Sequence, residues 1–263
     1  MTKARFFEHP LRDALVVIVP VLGDNFSYLI VAGDRAAAVD PADAAPLIEQ
    51  VTARGVKLEL ILNTHHHFDH VAGNEELKAR TGCRVAGPGQ AHIPVLDQAL
   101  ADGDRIPLGP LTLEVIGTPG HTRSHLCYYL PSGPALWTGD TLFTGGCGRL
   151  IEGGSATMWG SLHTLATLPE ETQVFCGHDY AEENLQFAAM LQPDNPAVQK
   201  RLSHIQARIR QGEPTVPSSL AEEKATNPFL RAGAPEMLRR LGLEGKPAAE
   251  VLAELRRRKD VFL

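Results

Sequence analysis

The chain is predicted to fold as an α/β protein followed by a smaller, all-helical domain. In the first two-thirds of the sequence, short runs rich in Val, Leu and Ile alternate with turns and helical stretches, as expected where helices cover a sheet. After Asp179 only helical patterns follow, separated by breaks that contain Pro or Gly. We therefore predict a boundary near residue 178, which divides the chain into domains 1–178 and 179–263.

Each predicted strand is a short apolar run that ends near Gly, Pro or Asp. In chain order the strands are Leu15–Val19, Tyr28–Val31, Ala36–Val39, Leu58–Asn63, Arg84–Ala86, Leu111–Ile116, Leu126–Leu130, Ala135–Thr138 and Val174–Cys176. The predicted helices begin or end at Pro and Gly signals. Those of the first domain are Pro46–Arg54, Asn74–Arg80 and Met158–Thr167. Those of the second domain are Ala181–Leu191, Ala197–Gln211, Pro235–Leu241 and Ala248–Arg258, with no strand among them.

The composition is that of a globular enzyme: 263 residues, 43% hydrophobic and 21% charged. The formal net charge of −6 argues against a nucleic-acid partner. The charge is uneven, because the segment from Pro193 onward carries 13 Lys and Arg against 9 Asp and Glu. A basic end on an acidic protein favours a local site for an anionic small molecule.

The cysteines and the N-terminus point to the cytoplasm. The four cysteines are widely spaced and form no CxxC pair, so free thiols in a reducing compartment are expected. The segment from Met1 to Pro10 contains charged residues and no apolar run, so no signal peptide is expected. No run is long enough to span a membrane.

The segment with the sequence THHHFDH carries most of the predicted chemistry. It follows an apolar strand directly, and active sites of sheet proteins commonly gather at such strand ends. The H-x-H spacing puts His65 and His67 on the same side of an extended loop, where both rings can bind one ion. Asp69 and His70 offer an oxygen and a nitrogen to a second ion. His66 is expected to point away, and the donor set suits Zn, Fe or Mn.

Three further residues match this pattern. His121, Asp140 and His178 each lie in a Gly-containing turn after an apolar run. Alone, each is typical of a hydrogen-bonded turn residue. Together with the histidine-rich segment they favour a single metal centre.

These motifs resemble those of a known family. The T-H-x-H-x-D-H segment, followed by His, Asp and His in this order, is similar to the metallo-β-lactamase superfamily, whose fold is an αβ/βα sandwich. Further segments resemble glyoxalase II, also called hydroxyacylglutathione hydrolase, and the resemblance spans nearly the whole chain. They are Asp140–Phe143, Gly145–Arg149, Glu152–Gly153, Gly177–Tyr180, Asn227–Arg231 and Arg256–Asp260.

The resemblance implies a centre of two divalent metal ions, zinc by expectation, with iron and manganese as alternatives. It assigns His65, His67 and His121 to the first ion, Asp69, His70 and His178 to the second, and Asp140 to both. The implied reaction is hydrolysis of S-D-lactoylglutathione, or of related 2-hydroxyacyl thioesters, in methylglyoxal detoxification. The nucleophile is a water activated between the two ions and oriented by the two aspartates, which are the expected catalytic residues.

The resemblance also implies the glutathione contacts. They map onto Arg149, Tyr180, Arg256 and Lys259, whose cations suit the two carboxylates of glutathione. Alternatively, the basic run at Arg256–Lys259 is the cationic last turn of a helix, and the Tyr180 ring only packs. Ile151 departs from the family pattern, because it stands where an aromatic residue is usual.

Other functions of the same superfamily stay open at this point. A persulfide dioxygenase, or another thiol-ester or lactone hydrolase, is the alternative, although the helical C-terminal domain and residues 145–149 argue against the dioxygenase. A nuclease is disfavoured by the net charge of −6, and an exported β-lactamase by the expected lack of an export signal. A monomer is expected.

Overall fold

The computed structural model describes residues 5–262. Residues 1–4 and 263 lie outside this range, and with them part of the N-terminal segment on which the signal-peptide prediction depends. Among the described residues, no helix combines the length and the apolar character that crossing a membrane requires.

The strands are short and most of them are buried. They are β1 (Phe7–Pro10), β2 (Leu15–Val21), β3 (Asn25–Ala32), β4 (Arg35–Val39), β5 (Lys57–Leu62), β6 (Arg84–Pro88), β7 (Gln98–Leu100), β8 (Arg105–Leu108), β9 (Leu111–Gly117), β10 (Leu126–Leu130), β11 (Ala135–Gly139), β12 (Leu142–Phe143), β13 (Gly146–Cys147), β14 (Gln173–Cys176) and β15 (Ser218–Ser219).

The helices are more frequent toward the C-terminus. They are α1 (Ala44–Arg54), α2 (Phe68–Val71), α3 (Asn74–Thr81), α4 (Ser155–Ala166), α5 (Ala181–Leu191), α6 (Pro196–Gln211), α7 (Leu220–Thr226), α8 (Pro235–Leu241) and α9 (Ala248–Asp260).

The described residues form two compact units. The first unit comprises residues 5–117, 124–139 and 177–179, and the second comprises residues 118–123, 140–176 and 180–262. The predicted boundary at 178/179 remains a prediction for the domains, since these units divide the chain differently. In particular, residues 140–176 belong to the same compact unit as the C-terminal helices.

The first unit is built on a seven-stranded sheet with the order β1 to β7. Strands β1 to β4 pair antiparallel, whereas β4, β5, β6 and β7 run parallel. The carboxyl ends of parallel strands share one edge of a sheet, so the segments after β4 and β5 come together there. Strands β8 to β11 of this unit pair antiparallel in the order β11-β10-β9-β8.

Helix α1 shows how local signals set the ends of an element. The side chain of Asp43 accepts a hydrogen bond from the Ala45 amide, and Gly55 ends the helix with a φ of 63°. The helix therefore begins two residues before the predicted start at Pro46. Leu47 of this helix is buried and packs in the hydrophobic core of the first unit.

The second unit is mainly helical. Helices α5 and α6 pack through Ala181, Leu185 and Ile205, and α4 packs against α9. Strands β12 and β13 form a two-stranded antiparallel sheet, and β14 pairs antiparallel with β15.

The predicted fold class is confirmed, and the predicted helices and strands are present with ends shifted by up to three residues. The prediction of no strand after residue 179 is wrong, because β15 pairs with Gln173 and Val174. A two-residue strand has no periodicity that a sequence pattern could reveal. Other elements of seven residues or fewer were also missed, namely β1, β7, β8, β12, β13, α2 and α7.

Candidate metal centre

The segment after β5 is held by its backbone at the sheet edge. The Tyr128 hydroxyl donates to the Asn63 carbonyl oxygen at 2.5 Å, and the Leu126 amide donates to the Thr64 carbonyl oxygen at 2.9 Å. The side chain of Asn63 donates to the His70 carbonyl oxygen at 3.0 Å. These buried bonds fix both ends of the histidine-rich segment before any side chain binds a ligand.

Asp69, His70 and His178 form one group of potential metal ligands, with one ligand atom from each lying within 4.8 Å of the others. His70 Nε2 and His178 Nε2 are 3.3 Å apart, and His178 Nε2 lies 3.3 Å from Asp69 Oδ2. Asp69 and His70 both lie in the short helix α2. A single helical turn brings the two neighbouring side chains to the same group.

His65 and His67 approach each other as the H-x-H spacing predicted. Their Nε2 and Nδ1 atoms are 3.0 Å apart; His65 is buried and His67 is half-buried. His66 belongs to none of the ligand groups found among the described residues, although its ring centroid lies only 5.1 Å from that of His67.

Asp40 is a site residue that the sequence prediction missed. Its carboxylate accepts hydrogen bonds from the Thr64 amide and the Thr64 hydroxyl, each at 2.7 Å. Oδ2 also lies 2.9 Å from His70 Nδ1, which leaves Nε2 of that ring directed at the ligand group. An orienting carboxylate of this kind fixes the ring and its tautomer. The available signal was its position directly after the buried strand β4.

Asn25 orients the carboxylate of Asp69. Its side-chain amide donates to Asp69 Oδ2 at 3.0 Å and to the Asp69 carbonyl oxygen at 3.1 Å. The hydrogen bond with His178, the charge of His70 and the Asn25 amide together hold the pKa of Asp69 well below its usual range, against the effect of burial. Asp69 is therefore a carboxylate, the form that a metal ion binds.

In the second unit, His121 and Asp140 lie together. His121 Nε2 is 3.4 Å from Asp140 Oδ2, and His121 Nδ1 is 2.9 Å from the Arg149 carbonyl oxygen. Gly148 packs so closely here that a Cβ would lie 1.9 Å from the Asp140 carbonyl oxygen and 3.2 Å from His121 Nδ1. Only glycine fits at this position without a shift of Asp140.

The four predicted substrate contacts all lie in the second unit. Arg149 is exposed, and the ring of Tyr180 packs edge-on against Phe143 with centroids 5.5 Å apart. Arg256 is buried, donates to the Cys147 carbonyl oxygen at 2.9 Å and pairs with Asp260. Lys259 is also buried and pairs with Glu183. The two C-terminal cations therefore have partners within the chain.

The donor set fits a divalent metal ion. Imidazole nitrogens and carboxylate oxygens converge within 4.8 Å, without a thiolate among them. The His70 ring is held from its far side by Asp40, as metal-binding histidines typically are. This chemistry suits Zn, Fe or Mn.

Comparison with known proteins agrees with this geometry. The family model described as Metallo-beta-lactamase superfamily matches residues 21–178, and the model described as Hydroxyacylglutathione hydrolase C-terminus matches residues 179–262. A curated hydroxyacylglutathione hydrolase from Methylococcus capsulatus is 51% identical over 94% of this chain and 98% of its own length.

Two solved structures share the fold. The BLEG-1 B3 metallo-beta-lactamase has a TM-score of 0.62 at 22% identity, covering 86% of this chain and 99% of its own. A protein crystallised in a di-iron-bound form has a TM-score of 0.58 at 25% identity, covering 81% of this chain and 98% of its own.

The fold and the histidine and aspartate cluster thus define a metallo-β-lactamase-type protein that binds divalent metal. Within this superfamily the chain belongs to the hydroxyacylglutathione hydrolase family, and is therefore an enzyme. The family predicted from the sequence motifs is confirmed.

Proposed function

We propose that this chain hydrolyses S-D-lactoylglutathione, and related 2-hydroxyacyl thioesters of glutathione, to the hydroxy acid and glutathione. Such a reaction is a step in methylglyoxal detoxification. The observation that carries the proposal is the ligand group Asp69, His70 and His178, combined with the match of the C-terminal segment to the hydroxyacylglutathione hydrolase model.

The metal centre is proposed to hold two divalent ions, zinc in the first place. His65, His67 and His121 would hold one ion, Asp69, His70 and His178 would hold the other, and Asp140 would be a ligand of both. The convergence of imidazole and carboxylate donors supports this assignment. When bound, such ions would lower the pKa of a water to about 7 and so supply a nucleophile at neutral pH.

The residues of the chain orient the reaction. The carboxylates of Asp69 and Asp140 would orient the attacking water, and the Asn25 amide keeps the Asp69 carboxylate in place. The water gives one proton to solvent, and the resulting hydroxide forms a C–O bond with the thioester carbonyl carbon. The C–S bond breaks, so that the hydroxy acid is released and glutathione leaves as its thiolate. Because a thiol has a pKa of about 8.5, this leaving group requires no general acid.

The glutathione part is proposed to contact Arg149, Tyr180, Arg256 and Lys259. The exposed guanidinium of Arg149 can pair with a substrate carboxylate directly. Lys259 pairs with Glu183, whose side chain is 49% exposed, so a substrate carboxylate competes with Glu183 for the same cation. Ile151 is 57% exposed and offers an apolar contact instead of a phenol hydroxyl.

A cytoplasmic monomer completes the proposal. All four cysteines are buried free thiols, as a reducing compartment maintains them. Gel filtration coupled to light scattering measures the mass, and a value near 28.5 kDa supports the monomer.

The test is release of free thiol from S-D-lactoylglutathione by the purified protein, with metal content determined on the same sample. Thiol release with about two ions per chain supports the proposal. Absence of release from a metal-loaded protein contradicts it. Oxygen uptake with glutathione persulfide would then support the alternative, a persulfide dioxygenase, and release from thioesters of other thiols would indicate a different hydrolase.

A further inference from the structure

Residues 144–149 form a glycine-rich segment that includes strand β13 and packs against helix α5. We call this segment the glycine loop. Gly145 has a φ of +70°, and a Cβ there would lie 3.0 Å from Leu185 Cδ2. At Gly146 a Cβ would lie 2.5 Å from Asn184 Nδ2. The loop is therefore packed by its backbone against α5, and its polar backbone groups need partners within the protein.

Glu223 supplies one of these partners from helix α7. Its side chain is fully buried, with 0% exposure. Oε2 accepts hydrogen bonds from the Gly145 amide at 2.9 Å and from Asn227 Nδ2 at 3.0 Å. Oε1 accepts from the Ser218 hydroxyl at 2.6 Å and from the Arg201 guanidinium. The two carboxylate oxygens thus bind different partners, and only Oε2 bonds to the glycine loop.

Asn227 supplies a second partner. Its Nδ2 donates to the Gly146 carbonyl oxygen at 2.9 Å, while its Oδ1 accepts from the Phe229 amide at 3.0 Å. The second bond defines which side-chain atom is the oxygen, since an amide N–H can only donate to it. Asn227 is buried with 0% exposure, so both bonds form away from water.

The other end of the glycine loop contacts two of the proposed metal ligands. The Arg149 carbonyl oxygen lies 2.9 Å from His121 Nδ1, and Gly148 lies against the backbone of Asp140. The Arg149 side chain itself is exposed. A shift of the loop therefore moves Arg149, a proposed substrate cation.

We propose that Glu223 and Asn227 are positioning residues that hold the glycine loop so that Arg149 meets the glutathione part of the substrate. This inference rests on the proposed function for its substrate. Burial of a charged carboxylate carries a desolvation cost that apolar packing would avoid. Here the Glu223 carboxylate accepts a hydrogen bond from the Gly145 amide. It also orients the Asn227 side chain, which donates to the Gly146 carbonyl oxygen.

Two variants test the proposal, Asn227→Ala and Glu223→Gln, with Ser218→Ala as the matched control. Asn227→Ala removes the bond to Gly146. Glu223→Gln replaces one carboxylate oxygen by an NH2 group. Either the Gly145 amide or the Arg201 guanidinium then loses its acceptor. Ser218→Ala removes a bond to the same carboxylate, but on the oxygen that faces away from the loop. All three changes are buried, so loss of thermal stability alone does not distinguish them.

The first measurement is amide hydrogen exchange of peptides that cover residues 144–149. We expect faster exchange in Asn227→Ala and Glu223→Gln, and exchange close to that of the unchanged chain in Ser218→Ala. The second is kinetics of the metal-loaded enzymes. We expect KM for the thioester to rise about tenfold in the two loop-side variants, with kcat within about twofold, as loss of uniform binding predicts.

Unchanged hydrogen exchange in both Asn227→Ala and Glu223→Gln would overturn the inference that these two residues hold the glycine loop. Faster exchange with an unchanged KM would show that the bonds are structural only, and would overturn the positioning role. If one variant does not fold, the other still decides between these results. If the protein without substitutions is inactive on the thioester, the proposed function is contradicted. Hydrogen exchange does not depend on activity, so the exchange data still test whether Glu223 and Asn227 hold the glycine loop.

Discussion

At the scale of single residues, the orientation of the proposed metal ligands depends on neighbours that bind no metal themselves. Asp40 holds the His70 ring, Asn25 holds the Asp69 carboxylate, and the Arg149 carbonyl oxygen faces His121. In the two histidines the contact is made by Nδ1, which leaves Nε2 to face the ligand group. In Asp69 the contact is made by one of the two carboxylate oxygens, Oδ2. Preorganisation of this kind strengthens metal binding, because less rotamer freedom is lost when the ion binds.

The first prediction concerns Asp40. Replacement by Asn keeps the size but removes one acceptor, so either His70 or Thr64 faces an N–H group. We expect Asp40→Asn to weaken zinc binding about 10- to 100-fold, as measured by competition with a chromogenic chelator. Asp34→Asn is the control, since the Asp34 side chain is 92% exposed. Equal affinity in the two variants would contradict the role of Asp40.

The second prediction concerns Lys259. Lys259→Glu removes a cation proposed to bind glutathione and places a carboxylate beside Glu183. We expect KM to rise about tenfold with little change in kcat, because uniform binding is lost. Arg257→Glu, on the same helix but with a side chain 67% exposed, is the control and should leave KM unchanged. An unchanged KM in Lys259→Glu would remove this residue from the site.

The third prediction concerns Cys147. Burial raises the pKa of its thiol to about 11, so the thiol form persists in the folded protein until the pH approaches that value. We expect no reaction of Cys147 with Ellman's reagent at pH 8 in the native state, and reaction after denaturation, where the pKa is about 8.5. Rapid modification of Cys147 in the native protein, identified by peptide mass, would refute this.

At the scale of elements, the sequence predicted the long pieces and missed the short ones. Strand β10 is an apolar run of five buried residues, which gives a clear pattern. The two-residue strands β12 and β13 and the four-residue helix α2 have no period to detect. They form because tertiary contacts pair them, and such contacts are not encoded in a local pattern.

The candidate site was predictable to a similar extent. The proposed ligands could be predicted because His and Asp follow apolar runs in a motif-like order. Asp40 and Asn25 were not predicted, because the available signal, a lone Asp after a strand or a lone Asn before one, is also typical of a turn. Their roles depend on the parallel pairing of β4 with β5 and on the proximity of the β3 start to α2.

The fourth prediction tests the contact of the glycine loop with Asp140. In Gly148→Ala the new methyl group would collide with the Asp140 carbonyl oxygen, 1.9 Å away. We expect activity to fall by more than about 100-fold, with loss of metal, because the backbone of a proposed ligand must shift. The control is Gly154→Ala, where a Cβ meets nothing within 4 Å. Comparable activity in both variants would contradict the packing argument.

At the scale of the whole molecule, the chain joins two family models that meet at residues 178 and 179. The compact units do not follow this division, because residues 140–176 group with the C-terminal helices. Side chains of the C-terminal segment contribute to this grouping, because Glu223, Asn227 and Arg256 each form a hydrogen bond with the backbone of residues 145–147. The C-terminal segment therefore holds the backbone of residues 145–147, in addition to carrying three of the proposed substrate contacts.

The most direct test of the central claim is restoration of activity by metal. The purified enzyme is stripped with a chelator, and thiol release from S-D-lactoylglutathione is followed as zinc is added back. We predict loss of activity in the stripped protein and recovery that reaches its maximum at about two ions per chain. Full activity in protein shown to be free of metal would contradict a metal-dependent thioesterase.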